Sequence, residues 1–374
     1  MKIVFFGLSI TSSWGNGHAT TFRALIKGLH ERGHHVTFFE QNVEWYASNR
    51  DLPRPSFCRV HVLDSWDSGR SLIKTELRDA DVAVVGSYFP NGQRAIDEVL
   101  NSAARVRAFY DIDTPTTVAQ LESQGTTPYL RISQIPCFDI YFSFTAGPLL
   151  EKIAHRFGAV RALPLFCSVD PEFYFRRKSA KRFACDMSYM GTFAPDRQPK
   201  IEAWLNQVAE NMPRRRFIVA GPQYPENIQW ARNIRRIIHL NPRWHPHLYS
   251  SSQFTLNVTR RDMVQAGYAP SVRLFEAAAC GAAIISDNWA GLDSFFTPGE
   301  EILLPSSDSD VTGYLRHMSE AEIRSVGEAA QARVLDYHTS AKRALEFEST
   351  VQNAARAPVK TECDAGTLVT AQLG

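Results

Sequence analysis

The feature that most constrains this chain is a repeated alternation of short, almost unbroken apolar runs with segments of helical spacing. Residues 2–9 (KIVFFGLS) are apolar nearly throughout, as a strand buried on both faces of a parallel sheet requires. Residues 20–32 place Phe22, Leu25, Ile26 and Leu29 on one helical face, Gly33 supplies the stop, and residues 35–40 return to strand character. Strand, helix and strand together make a βαβ unit, the building block of a doubly wound sheet. The alternation continues through strands at 81–86, 106–110, 139–144 and 161–164, with a helix over 93–104. Residues 164–173 (PLFCSVDPEF) hold two prolines and no helical period, and read as a linker. A second series then starts at residue 186, with a helix over 199–210 and strands at 217–220, 237–240, 254–258, 283–286 and 302–304.

The pattern predicts an α/β protein of two Rossmann-like doubly wound domains, residues 1–165 and 166–338. A helix over 339–356 is placed to cross back to the first domain, and a flexible tail follows over 357–374. A length of 374 residues suits two such cores. Lys and Arg number 41 against 39 Asp and Glu, and a formal charge of +2 gives no global field to recruit nucleic acid, so any anion site must be local. The six cysteines are scattered, with no Cys-x-x-Cys pair, which fits a reducing compartment. Ser9, Thr11, Ser12 and Ser13 cut the first apolar run short of a secretory core, and no stretch is long enough to cross a bilayer. The expected location is the cytoplasm.

The most informative segment is 270–281 (PSVRLFEAAACG), followed by the apolar strand AIIS. Ser271 is a good N-cap and Gly281 a good stop, so a short helix lies between them. Its amino end offers unpaired N–H groups and a dipole that attract a diphosphate, and Arg273 can add a charge-assisted bond. Glu276, about a turn further on, can accept two hydrogen bonds from neighbouring ribose hydroxyls; the plainer alternative is a solvent-facing Glu276 paired with Arg273. The turn after Met190 sits at a strand's carboxyl end, where Gly191 allows close approach and Arg197 can clamp phosphate. Arg260 is a second clamp candidate, and Asn257 can orient either a loop or a donor oxygen. In the first half, the loop 12–18 (SSWGNGH) brings Asn16, Gly17 and His18 to a helix amino end. Asp111 and Asp113 project from another strand end, where they can hold or deprotonate a hydroxyl, or simply cap the next helix.

The segment RLFEAAACGAAIISD resembles the donor-site helix and following strand of GT-B glycosyltransferases, especially the CgeB-like (spore maturation) family. Residues 110–115 (YDIDTP), 186–192 (DMSYMGT) with Arg197, and 256–260 (LNVTR) are similar to segments that family carries in the same order. The resemblance spans most of the chain to about residue 337. It implies a GT-B architecture in which Glu276 binds the donor ribose, with Ser271, Val272 and Arg273 near the diphosphate. The implied reaction moves a sugar from a nucleotide-diphosphate donor, a uridine one, to a hydroxyl-bearing acceptor with retention, and Asp111, Asp113 and His18 are the catalytic candidates. Helix termini and arginines can neutralise the diphosphate, so no metal or other cofactor is expected. Many related retaining enzymes carry a second Glu eight residues before the first, where this chain has Tyr268.

Three other readings compete. A nicotinamide-dependent oxidoreductase draws on Gly15-x-Gly17 before a helix and Glu40 at the end of the second strand, but Thr20 replaces the third glycine and the loop is too long. An epimerase or hydrolase would use the same donor helix, since fold does not fix reaction. A non-catalytic nucleotide-sugar-binding protein is kept alive by Tyr268.

Overall fold

The computed structural model describes residues 1–356. The expected tail over 357–374 lies outside them. The first half holds a seven-stranded, wholly parallel sheet in the order β3-β2-β1-β4-β5-β6-β7. Its strands are β1 (Lys2–Phe6), β2 (His35–Gln41), β3 (Arg59–Leu63), β4 (Val82–Gly86), β5 (Val106–Asp111), β6 (Ile140–Ser143) and β7 (Ala162–Pro164). The second half holds a five-stranded parallel sheet, β10-β9-β8-β11-β12. Its strands are β8 (Cys185–Met190), β9 (Phe217–Ala220), β10 (Ile234–Ile237), β11 (Ser252–Asn257) and β12 (Ala283–Ser286). In each sheet the strand order reverses beside the first strand, at β1/β4 and at β8/β11. Doubly wound folds take their ligands at the carboxyl ends of such reversals.

Both sheets are buried on both faces, which explains the unbroken apolar runs: Ile3, Val4, Phe5 and Phe6 of β1 are fully buried. The expected strand at 237–240 lies earlier, because β10 pairs Ile234 with Phe217 and Ile237 with Ala220. Its two arginines hid it; the Arg236 guanidinium stacks on the rings of Tyr224 and Trp230, so a charged residue sits in an edge strand without facing the core. Residues 302–304 make only isolated bridges, Ile302 to Pro298 and Leu303 to Ile285. Edge strand β3 had no expectation at all, for Arg59 and His61 interrupt its apolar pattern. Helix formation over 198–211 is as expected, but it contains a π-helical stretch at Glu202–Asn206.

The helix Ser340–Ala355 packs against the first half, along the helix Gly17–Glu31. Its Phe347 lies fully buried between Phe5 and Phe142, with ring centroids 6.0 and 5.3 Å away. The chain therefore passes between the halves twice, once on the way out and once on the way back. The two passages are bonded together: Val169 N donates to His338 O at 3.0 Å, and Ser340 N to Val169 O at 2.8 Å. No helix among the described residues is long and apolar enough to cross a membrane.

Candidate active site

The helix Val272–Ala279 starts where the sequence places it, with the Ser271 hydroxyl accepting from Arg273 N at 3.4 Å. Its amino end opens into a cleft lined from both halves, by Ser13, Asn16 and Gly17 on one side and Gly191, Arg197 and Arg273 on the other. Gly17 begins the helix Gly17–Glu31 of the first half, and a Cβ added there would lie 4.0 Å from the Val272 side chain. Two helix amino ends thus face one another across the cleft, and both bias it towards anions.

Arg273 is fixed from three directions. Its Nε donates to the Met190 carbonyl, its Nη1 donates to Asn257 Oδ1 at 2.8 Å, and its guanidinium lies 5.2 Å from the Tyr189 ring centroid. Asn257 is fully enclosed, and its amide nitrogen is spent on Thr259 and Ser286, so it aims Arg273 instead of meeting a donor itself. Arg197 is buried at 9% exposure, donates to the Thr192 carbonyl, and leaves its Nε without a partner. Burial pushes its pKa down, and the neighbouring Arg273 and Arg260 add to the effect. Among the described residues neither Arg197 nor Arg273 forms an ion pair with a carboxylate. Two clustered cations without an ion-paired carboxylate are costly unless an anion joins them. Gly191 completes the wall, since a Cβ there would fall 2.7 Å from Arg273 Nη2.

Glu276 lies at the floor of the cleft, only 4% exposed. Tyr249 donates to its Oε2 at 3.3 Å, while Tyr174 from the linker and Thr20 from the first half also lie against the carboxyl. Burial raises its pKa to about 7, against the opposing pull of Tyr174, Arg273, Thr20 and Tyr249. The solvent-facing alternative is thereby corrected. Thr20, Tyr174 and Tyr249 were missed in the sequence; Thr20 stands where the dinucleotide pattern would have its third glycine. The other end of the cleft is bounded by Gly221, Pro222, His239, Leu240 and His245, also unforeseen because they follow the ends of β9 and β10.

On the first half, the two aspartates part company. Asp111 is fully buried; its carboxylate accepts from Tyr141 Oη at 2.6 Å, Thr117 Oγ1 at 2.9 Å and Asp113 N at 3.2 Å. Burial raises its pKa to about 6. The expectation that Asp111 meets an acceptor is corrected, because its oxygens are committed to holding the turn. Asp113 faces the other half: Tyr88 Oη donates to its Oδ2 at 3.0 Å, Arg260 Nη1 approaches that oxygen at 3.9 Å, and Oδ1 has no partner. His18 packs edge-on to Tyr88, with its Nδ1 buried and unpartnered, and burial lowers its pKa while Asp113 opposes the shift. Asn16 caps its helix by accepting from His18 N at 3.0 Å, and its amide donates to Ser12 O at 3.2 Å. It lines the cleft but its polar atoms are engaged in building the loop.

Glu40, the acid that the oxidoreductase reading would give to a ribose, is also committed. It accepts from Ile10 N at 2.7 Å, Thr11 N at 3.0 Å and Ser9 Oγ at 3.1 Å, and is 1% exposed. It shapes the loop after β1, and no ribose can reach it.

A family model described as "Glycosyl transferase-like" matches residues 197–349, the part that holds the cation cluster and Glu276. No curated protein sequence matches the chain. Among solved structures, sucrose-phosphate synthase from Thermosynechococcus elongatus superposes with a TM-score of 0.70 at 13% identity, covering 94% of this chain and 98% of that one. The chain has the GT-B glycosyltransferase fold. HepE of Anabaena, in complex with UDP-glucose, gives a TM-score of 0.66 at 11% identity over 94% of this chain and 100% of its own. An alpha-glucosyltransferase in complex with UDP gives 0.65 at 10% identity, again over 94% and 100%. Two of these neighbours of the GT-B fold thus hold UDP or a UDP-sugar.

Proposed function

We propose that this chain transfers a sugar from a UDP-sugar to a hydroxyl-bearing acceptor, with retention of configuration and without a metal. The observation that carries the proposal is the pair Arg197 and Arg273. Both are cations without a carboxylate partner among the described residues, set at the tip of the helix Val272–Ala279 in a cleft lined from both halves. A diphosphate placed there would satisfy both guanidiniums and the helix N–H groups, and the ribose would then fall towards Glu276. The UDP and UDP-glucose bound by similar structures support uridine as the base, and the alpha-glucosyltransferase among them supports retention.

The acceptor would lie on the first half, with Asp113, buried beside Tyr88, and His18 as the candidate groups on that side. Breakage of the bond between the sugar and the diphosphate leaves charge on the departing phosphate, and Arg197, Arg273 and the two helix amino ends are already oriented to receive it. No divalent ion is required for that step. The test is calorimetric titration with UDP and a panel of nucleotide-sugars, on the wild type and on Glu276→Ala. Glu276→Ala should weaken donor binding by roughly ten- to a hundredfold with the fold intact, as loss of a charged hydrogen-bonding partner implies. Unchanged affinity would remove Glu276 from the site, and absence of UDP binding by the wild type would remove the donor assignment.

A further inference from the structure

The second half sends one segment onto the first. After β11 the chain runs through Arg260, the short helix Arg261–Ala266, Gly267 and Tyr268 before it reaches the Ser271 cap of the helix Val272–Ala279. Along that run Arg260 approaches Asp113, the short helix leans on the helix Thr114–Gln124, and Ala266 packs against the core of the first half. Tyr268 closes the seam. Its carbonyl accepts from Ala146 N of the first half at 3.2 Å, and its own N donates to the Ala290 carbonyl of the second at 2.7 Å. Its ring fills a slot between two glycines, one from each half: a Cβ added at Gly147 would run into Cδ2 of the ring, and one added at Gly291 into Cδ1. The backbone there is left-handed, with φ at 48°. A bulky residue keeps that conformation only where its surroundings over-determine it, as a glycine on either side and two backbone bonds do here.

We infer that Tyr268 is a positioning residue for transfer: its ring and carbonyl fasten the entry of the donor helix to the first half, so that a donor held at Ser271 and Arg273 is presented at one fixed place against the acceptor side. This rests on the donor site proposed above. Tyr268 does not itself line the cleft. The segment that it pins, however, is bonded to Arg273 at both ends: Asn257 Oδ1 accepts from Arg273 Nη1 at 2.8 Å where the segment starts, and Ser271 Oγ accepts from Arg273 N at 3.4 Å where it stops. Only Ala269 and Pro270 lie between Tyr268 and that cap, and both are buried. So short a packed link transmits a displacement instead of absorbing it. A ligand that touches both walls of the cleft favours the state in which the seam is shut, and a shut seam in turn holds Arg273 in register with the first half.

Hydrogen exchange at the Ala146 amide reads the seam without turnover, because that N–H bonds across it. In the wild type, saturating UDP should slow Ala146 exchange by about fivefold or more. Tyr268→Gly removes the ring and relaxes the left-handed backbone. It should speed Ala146 exchange about tenfold and abolish the slowing by UDP, while the amides of β11 keep their protection. It should also lower kcat about tenfold, with the Kd for UDP within about threefold, since misplacement costs rate more than donor affinity. Tyr268→Phe keeps the ring and the carbonyl and should match the wild type throughout. Unchanged Ala146 exchange in Tyr268→Gly overturns the inference, and so does faster exchange with kcat unaltered. A wild type that binds UDP without slowing Ala146 exchange overturns it with no variant at all. A wild type that binds no UDP would count against the proposed donor site, and the Tyr268→Gly exchange rate would still decide whether the ring holds the seam.

Discussion

At the residue scale, the decisive property of the proposed donor site is that its carboxyl group is buried. Glu276 has a folded pKa of about 7, raised by burial above an ordinary value of 4.5, so without donor it is partly protonated near neutral pH. Accepting two ribose hydroxyls requires the ionised form. Donor affinity should therefore rise with pH through about 7, and binding near pH 6 should release a proton. Titration calorimetry in two buffers of different ionisation enthalpy would measure that proton directly. In Glu276→Gln the release should vanish, and a donor affinity independent of pH from 5.5 to 8 in the wild type would contradict the ribose assignment. The same shift has a consequence for stability. Because the folded pKa lies above the unfolded one, the contribution of Glu276 is most favourable below about 4.5 and is lost as pH rises through 7; Asp111 behaves alike between 3.8 and about 6. Asp111→Asn, which keeps the shape and removes the titration, should flatten the pH dependence of the melting temperature between pH 4 and 6.

At the scale of elements, the site is made of turns at strand ends, and those turns depend on close backbone approach. Gly221 follows β9 with φ at 150°, and a Cβ there would run into the Gly191 carbonyl oxygen. Gly221→Ala should push the two turns apart and disturb the seating of Arg273, whose Nη2 crowds Gly191. A loss of about 1–3 kcal/mol of stability is expected from urea unfolding, with weaker UDP binding alongside. Legibility in the sequence follows the same division. The buried strands and the helix Val272–Ala279 were readable because burial on both faces and a Ser cap leave local marks in composition. Edge strands β3 and β10 were not, since arginine and histidine satisfied by stacking or solvent look like loop residues. The partners of Glu276 were the hardest to see. Thr20, Tyr174 and Tyr249 come from a helix of the first half, the linker and another helix, and only the packing of the two halves brings them to one carboxyl group. The Asp-x-Asp pair was read as a unit, yet β5 ends at Asp111 and holds it inside the sheet while Asp113 lies in the turn beyond, so the end of the strand decided their roles.

At the scale of the whole molecule, stability and closure rest on different contacts and can be separated. Phe347 belongs by sequence to the end of the described chain but by packing to the core of the first sheet. Phe347→Ala should cost about 3–5 kcal/mol, a value typical of a buried aromatic truncated to a cavity, while UDP affinity stays within about twofold because the cleft lies elsewhere. Across the cleft the halves meet through thinner contacts: Ala146 N donates to Tyr268 O at 3.2 Å, and Arg260 reaches Asp113 at 3.9 Å. The paired passages at Val169 and Thr339 are where the chain crosses between the halves, so a hinge there is the expectation for any opening of the cleft. Arg260 is 46% exposed, so its pairing with Asp113 is worth no more than about 1 kcal/mol to the fold. Arg260→Ala should accordingly leave the urea midpoint nearly unchanged. It should lower kcat and speed UDP release in stopped-flow displacement, as the proposed reaction requires of a guanidinium that joins the second half to the Asp113 carboxylate across the cleft. A variant that lost stability as Phe347→Ala does, but kept the wild-type release rate, would show that Arg260 serves the core and plays no part in closure.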